Sequence, residues 1–180
     1  MAHLSTQALL LHLLERMKEK GSWSGETHLQ KAVYVAQEVL GVPFGFDFIL
    51  YKHGPFSFDL RDALAEMQAD RFIGQVFQAY PYGPTLKPDA NAPALKDRFP
   101  KTIATHRSKI DFVADALSPY RAAELEGLAT AIYVTRKSGT NDRRQRANAL
   151  RAAKPHIDVQ DAQRFVELAD DLLSKAEQER

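Results

Sequence analysis

LYKHGPFSFDLRDALAEM, residues 50–67, holds more architectural information than any other stretch of this chain. The short apolar run Phe48-Ile49-Leu50-Tyr51 reads as a strand. It stops at Lys52-His53-Gly54-Pro55. Gly54 takes a positive φ at little steric cost, and Pro55 has no N–H to carry a ladder onward. Ser57 stands at an N-cap position, with Asp59 adding negative charge to the first helical turn. Leu60, Ala63, Leu64 and Met67 then recur at helical spacing and define one buried stripe.

Upstream, residues 5–20 read as a helix capped by Ser5 or Thr6 and ended by Gly21. Leu10, Leu13, Leu14 and Met17 share a face, and Leu9 and Leu11 widen it, which predicts cover on more than one side. Trp23, the only tryptophan, sits in a turn and is expected in the core or as a lid. A second helix is predicted from a Thr27 cap with Gln30 three residues on, its stripe being Leu29, Ala32, Val33, Ala36 and Leu40. Downstream, Phe72–Tyr80 reads as a strand that turns at Pro81–Pro84 and returns through Thr85-Leu86-Lys87. Residues 81–100 hold five of the nine prolines and read as a linker or exposed loop.

The remainder is helical. Ile103, Ile110, Val113, Ala114 and Leu117 mark a fourth helix. A fifth is expected from Ser118-Pro119 to Ser138-Gly139, and a last one from an Asp158 cap. The expected fold is mainly α with a small β part. A winged helix-turn-helix-like domain, residues 1–90, precedes a helical extension, 91–180, packed on it as one compact unit. In the usual winged order a short strand comes before the second helix, whereas here the strand follows it.

Composition narrows the function classes. The net charge is +1 with 26% charged residues, which favours neither a disordered chain nor a globally basic nucleic-acid binder. With no cysteine, disulfides and thiolate metal sites are excluded. His12 and Glu15-Arg16 break up the apolar run near the N-terminus, and no run approaches the ~18 apolar residues of a membrane span. A soluble, cytoplasmic protein with no membrane association is expected.

Leu29-Gln30-Lys31-Ala32-Val33-Tyr34, followed some twenty residues later by His53-Gly54-Pro55-Phe56-Ser57 and Leu60, resembles the YwgA-like proteins and, more distantly, the Panacea group with its SocA-type antitoxins. The resemblance covers roughly residues 25–75. It implies an antitoxin-like or adaptor-type protein of bacterial or phage origin that binds a protein partner, a toxin or a protease. The Panacea group often carries a tryptophan near the glycine-proline turn, where this chain has Tyr51 and His53. The motif residues that define a candidate partner site or structural turn are Lys31, Tyr34, Tyr51, His53, Gly54, Pro55, Phe56 and Ser57. His53 is expected to complete the turn, and Lys31 either bonds a carbonyl there or is solvated.

DNA binding by a winged helix is the alternative. Its natural reading helix carries Asp59, Arg61, Asp62, Glu66, Asp70 and Arg71, a net −2, and phosphate neutralisation requires the opposite sign. The basic residues lie later. Arg136, Lys137, Arg143, Arg144, Arg146, Arg151 and Lys154 face only Asp142 within residues 136–154 and form a candidate nucleic-acid or acidic-partner patch. They do not fall on one helical face, and pairing with the acidic last helix is the competing expectation. A small hydrolase or transferase is the third class. The histidines lack metal-type spacing, no phosphate-binding loop or nucleophile elbow is present, and Tyr51, His53, Ser57 and Asp59 alone carry acid–base potential. No catalytic residue, metal or cofactor is assigned.

Overall fold

A computed structural model describes residues 3–179. The chain runs α1 (Leu4–Glu19), α2 (Glu26–Glu38), β1 (Ile49–Tyr51), β2 (Gly54–Phe56), α3 (Phe58–Ala69), β3 (Ile73–Val76), β4 (Thr85–Pro88), α4 (Ala92–Arg98), α5 (Pro100–Leu117), α6 (Ala122–Ser138), α7 (Arg143–Ala153) and α8 (Val159–Ala176), then a 3₁₀ turn, Glu177–Glu179. It is mainly helical with two small, separate antiparallel hairpins, β1–β2 and β3–β4.

Two helices are buried nearly all round. Every residue of α1 from Thr6 to Leu14 is buried, as is every residue of α6 from Leu125 to Ile132. Helix α1 packs on α5, α4 and β4, while α6 packs on α8, α7, α2 and β2. Leu10, Leu13, Leu14, Ala32, Val33, Ala36, Leu60, Leu64 and Met67 share one core with Ile110, Leu117, Ile132 and Phe165 from the second half. Three amphipathic stripes in the first 70 residues cannot bury their faces alone, and the later helices cover them. Gly127 lets α6 and α8 close on each other, since a Cβ there would lie 2.3 Å from the Phe165 ring.

The helix α3 is as expected. Ser57 caps it and its hydroxyl accepts from the Leu60 N–H at 3.2 Å. The chain enters it through a hairpin rather than a single strand. Tyr51 pairs with Gly54, Leu50 with Pro55 and Ile49 with Phe56 around a two-residue turn, Lys52-His53. Pro55 therefore sits inside a strand, which a two-stranded ribbon permits because both strands are edges.

Several expected helix starts are displaced. His3 and Gly25 occupy the N-cap positions of α1 and α2, so Ser5, Thr6 and Thr27 lie inside or beside their helices as ordinary residues. Ser118 is the C-cap of α5, and α6 begins three residues after Pro119, with Arg121 as N-cap. Gly139 ends α6 at φ +63°, and Asp158 caps α8 by accepting from the Asp161 N–H, both as expected. The β3 strand ends at Val76, leaving Phe77 and Tyr80 on an exposed loop.

Residues 81–100 are not a linker. Thr85–Pro88 forms β4, and α4 buries Ala92 and Leu95. Pro93 lies in the first turn of α4 and Pro100 opens α5, where a missing N–H costs no helical bond. The prolines here punctuate structure instead of dissolving it. Gly25 forms an antiparallel bridge with Thr85, and the Leu86 N–H donates to the Ser24 carbonyl at 2.9 Å, tying the start of α2 to the second hairpin. Among the described residues, no helix is long and apolar enough to cross a membrane.

Candidate functional site

The hairpin β1–β2 rests on a buried polar clamp supplied by three helices. Gln30 of α2 holds the backbone of Ser57 with both ends of its amide. Its Nε2 donates to the Ser57 carbonyl at 2.9 Å and its Oε1 accepts from the Ser57 N–H at 2.9 Å. One residue on, Lys31 is 1% exposed and its Nζ donates to the Pro55 carbonyl at 2.9 Å. Burial pushes the Lys31 amine down to about 8, with Glu126 opposing and Lys154 reinforcing the shift. Consecutive residues on α2 thus reach two points of one turn, which requires both side chains to leave the helix on its hairpin side.

The other two helices bring charge. Glu126 of α6 lies 3.1 Å from Lys154 Nζ and 3.3 Å from His53 Nδ1, with His156 Nε2 at 3.7 Å. Lys154, at the C-cap of α7, also donates to the carbonyls of Tyr51, at 3.0 Å, and of Lys52. Two ammonium groups and one carboxylate are therefore packed beneath the turn, with backbone carbonyls accepting from the ammonium groups. Such charges are tolerated in burial chiefly because opposite charge lies beside them. Gly54 has φ +88°, and a Cβ there would meet Thr130 Oγ1 at 2.9 Å. The turn is pressed onto α6 too closely for any side chain.

The eight motif residues separate into two sets. Lys31, Gly54, Pro55 and Ser57 are buried in the clamp. Tyr34 is buried too, its ring packed edge-on against Phe48 at 5.2 Å and near Tyr133 at 6.2 Å, so it serves the core. Tyr51 and His53 face solvent and Phe56 is half-buried. The sequence reading missed Gln30, Glu126 and Thr130 as clamp residues and Phe58 as their outer counterpart. One signal was available: Glu126 is a carboxylate inside the run Leu125–Ile132, whose other residues except Thr130 are apolar.

Above the clamp lies an aromatic face. Tyr51, Phe56 and Phe58 contact one another in a triangle, with ring centroids 5.7, 5.4 and 5.1 Å apart, and the Arg61 guanidinium lies 5.0 Å over the Phe58 ring. Tyr51 is 51% exposed, and Ile49 and Phe58 beside it are also exposed. Tyr51 and Phe58 thus leave large ring surfaces in water beside one another on this base.

The basic segment is largely spent within the fold. Arg146 is buried and forks onto Asp170 of α8 at 2.5 and 3.0 Å, and Arg143 reaches the same carboxylate at 2.8 Å. Those guanidinium groups hold the Asp170 carboxyl below its usual range. Lys154 belongs to the clamp, Arg136 pairs with Glu38 at 3.7 Å, and Lys137 lies over the Tyr133 ring. Arg144 and Arg151 remain exposed. The seven residues do not make one open patch.

A groove of about 1030 Å³ runs between the start of α2, α3, the β3–β4 loop and the α5–α6 junction, with Trp23 and Tyr82 on its lip. Trp23 is 42% exposed, and its ring sits 5.1 Å from that of Tyr82, so it edges this groove and does not fill the core. Among the described residues no three His, Asp or Glu side chains gather as a metal site would need. Neither a scan of protein-family models nor a search of curated proteins finds a match to this chain.

Proposed function

We propose that this protein is a regulatory binding protein of antitoxin-like or adaptor type, acting in the bacterial or phage-infected cytoplasm through a protein partner and not by catalysis. The observation that carries this reading is the aromatic triangle Tyr51–Phe56–Phe58, with Tyr51 and Phe58 exposed, seated on a rigid polar clamp. Partner hot spots are commonly aromatic groups held in place before binding, because little side-chain entropy is then lost on docking. Asp59 follows Phe58 in the chain and Asp62 lies beside Arg61, which suits a partner surface that is apolar at its centre and basic at its rim.

The test compares proteins retained from the native host by the parent chain and by the double change Tyr51→Ser, Phe58→Ser, with mass spectrometry as the readout and a melting curve beside it. Loss of one retained protein at unchanged melting temperature supports the reading. Identical retention by both proteins defeats it.

A winged-helix DNA regulator is the second reading, and the Gly25–Thr85 bridge favours it. That bridge supports a short strand before α2, the place the winged order gives it, with α3 as the reading helix, β3–β4 as the wing and β1–β2 as an insertion. The net −2 of residues 57–71 weighs against DNA, since an acidic reading helix repels phosphates. A sequence-specific duplex complex lost on Arg61→Ala would move the conclusion to this second reading.

A further inference from the structure

Beyond partner binding, and independently of it, we propose that the groove between α2, α3 and the β3–β4 loop is a binding site for a nucleoside monophosphate. Its volume of about 1030 Å³ lies at the upper end of ligand pockets, which run roughly 300–1,000 Å³. The lining divides into three kinds of chemistry, and one ligand class satisfies all three.

The first kind is aromatic. Trp23 and Tyr82 meet at 5.1 Å with their planes tilted by 45°, and both rings remain exposed on the lip. Leu64 and Leu86 line the same groove. Exposed rings over an apolar wall suit a flat heteroaromatic base, which stacks through its π-face.

The second kind is anion-binding. The N-termini of α2 and α6 both open on the groove, since Gly25, Glu26 and Thr27 line it together with Arg121, Ala122 and Ala123. Gly25 leaves the first-turn amides of α2 without a side-chain cap, whereas at α6 the Glu124 carboxylate accepts from the Arg121 N–H at 3.2 Å. Two helices of 13 and 17 residues thus direct the positive ends of their dipoles at this groove, and α2 adds first-turn N–H groups without a side-chain cap. Arg121 adds a guanidinium group that, among the described residues, has no carboxylate at ion-pair distance, while the guanidinium of Arg61, also on the lining, lies over Phe58 and beside Asp62. Several donors lining one groove match the several oxygens of a phosphate better than a single carboxylate.

The third kind marks the site as built for a ligand. His28 is 4% exposed and lines the groove, yet its Nε2 is buried without a hydrogen-bond partner of good geometry. Burial holds the imidazole below its ordinary value, with the Tyr120 backbone opposing. A buried polar atom left unsatisfied in a native site calls for a missing partner. Glu26, on the same wall, is the one carboxylate of the groove and accepts hydroxyl donors, as a ribose provides.

The experiment uses the full chain with adenosine 5′-monophosphate as the probe and adenosine and inorganic phosphate as controls. Trp23 is the only tryptophan, so its fluorescence reports the lip directly, and calorimetry gives affinity independently. Saturable quenching by the monophosphate is expected, with adenosine and phosphate each weaker by about tenfold or more. Arg121→Ala should weaken the monophosphate by about tenfold at unchanged melting temperature, and Trp23→Leu, read by calorimetry, by a similar factor. The other three common monophosphates serve as further probes for base preference. Absence of saturable heat and of quenching with all four up to about 1 mM overturns the proposal. So does binding that adenosine matches, or that Arg121→Ala and Trp23→Leu leave unchanged.

Discussion

Lys31 Nζ donates to the Pro55 carbonyl at 2.9 Å, joining two residues 24 positions apart through a side chain that is almost wholly out of water. An ammonium group would not normally be buried for one hydrogen bond. It is tolerated because Glu126 lies close enough to raise its proton affinity, partly offsetting the loss of hydration. The clamp therefore has a pH dependence that can be worked out.

The Lys31 amine is pushed from 10.5 down to about 8 in the folded chain. Between those values the unfolded chain binds the extra proton, so the contribution of Lys31 to stability rises with pH across that window. Below about 8 both states are protonated and the burial penalty is fully present. The stability difference between the parent and Lys31→Met should therefore grow in the parent's favour by roughly 2–3 kcal/mol from pH 7.5 to 10.5. Urea melts of both proteins at several pH values check this, and a constant difference would refute it. Taking the difference is necessary because other groups titrate in the same range, Tyr34 among them, which burial pushes upward.

Gly54 combines two separable strains. Its φ of +88° disfavours a side chain, and a Cβ would also crowd Thr130 Oγ1 at 2.9 Å. Gly54→Ala should cost about 1–3 kcal/mol, and Gly54→Val at least as much. Adding Thr130→Ala to Gly54→Ala should recover only the crowding part. Full recovery in a double-mutant cycle would show that the backbone conformation contributes nothing.

Ser57 and Gln30 meet at the same helix start with unequal stakes. Ser57→Ala removes one cap and should cost about 1 kcal/mol. Gln30→Ala leaves the Ser57 N–H buried without its partner, while the Ser57 carbonyl keeps the Arg61 N–H at 3.2 Å, and should cost more than the cap, about 2 kcal/mol. Denaturation midpoints rank the two. The reverse order would mean that water replaces the amide.

Arg146 and Asp170 anchor α7 to α8. Arg146→Ala or Asp170→Asn should each lose about 1–3 kcal/mol, less for Arg146→Ala because the half-buried Asp170 keeps Arg143 at 2.8 Å. The Asp170 carboxyl is held below its ordinary 3.8, so its contribution is present above that value and is lost as pH falls through the folded one. Asp170→Asn should flatten the acid limb of a stability–pH curve accordingly. Arg144→Ala and Arg151→Ala, on exposed positions, should stay within about 0.5 kcal/mol. Duplex retention at physiological salt should be weak and should fall with these two changes, not with Arg61→Ala.

Periodicity alone was enough for the helices that build the core. The stripe Leu60–Met67, the Ser57 cap, the Asp158 cap and the Gly139 stop are local matters, settled within a turn or two of backbone, and the chain displays them openly. The positive φ of Gly54 was legible for the same reason. Other features depend on what comes to lie opposite. Ser5, Thr6 and Thr27 are chemically able caps, but the chain enters those helices earlier, where His3 and the Gly25 bridge set its direction. Prolines that look like a linker become helix starts once Leu95 finds the core. The candidate site is divided in the same way. Tyr51, His53 and Phe56 could be picked out as motif residues, while Tyr34 proved to be core, and Glu126 and Lys154 joined the turn only through folding. Local sequence carries helix period, cap chemistry and turn glycines because their energies are local. Which charges are buried together under residues 51–57 was decided by tertiary packing, since Glu126 and Lys154 lie 73 and 102 residues from the backbone and side chains they hold, and no pattern along the chain encodes that meeting.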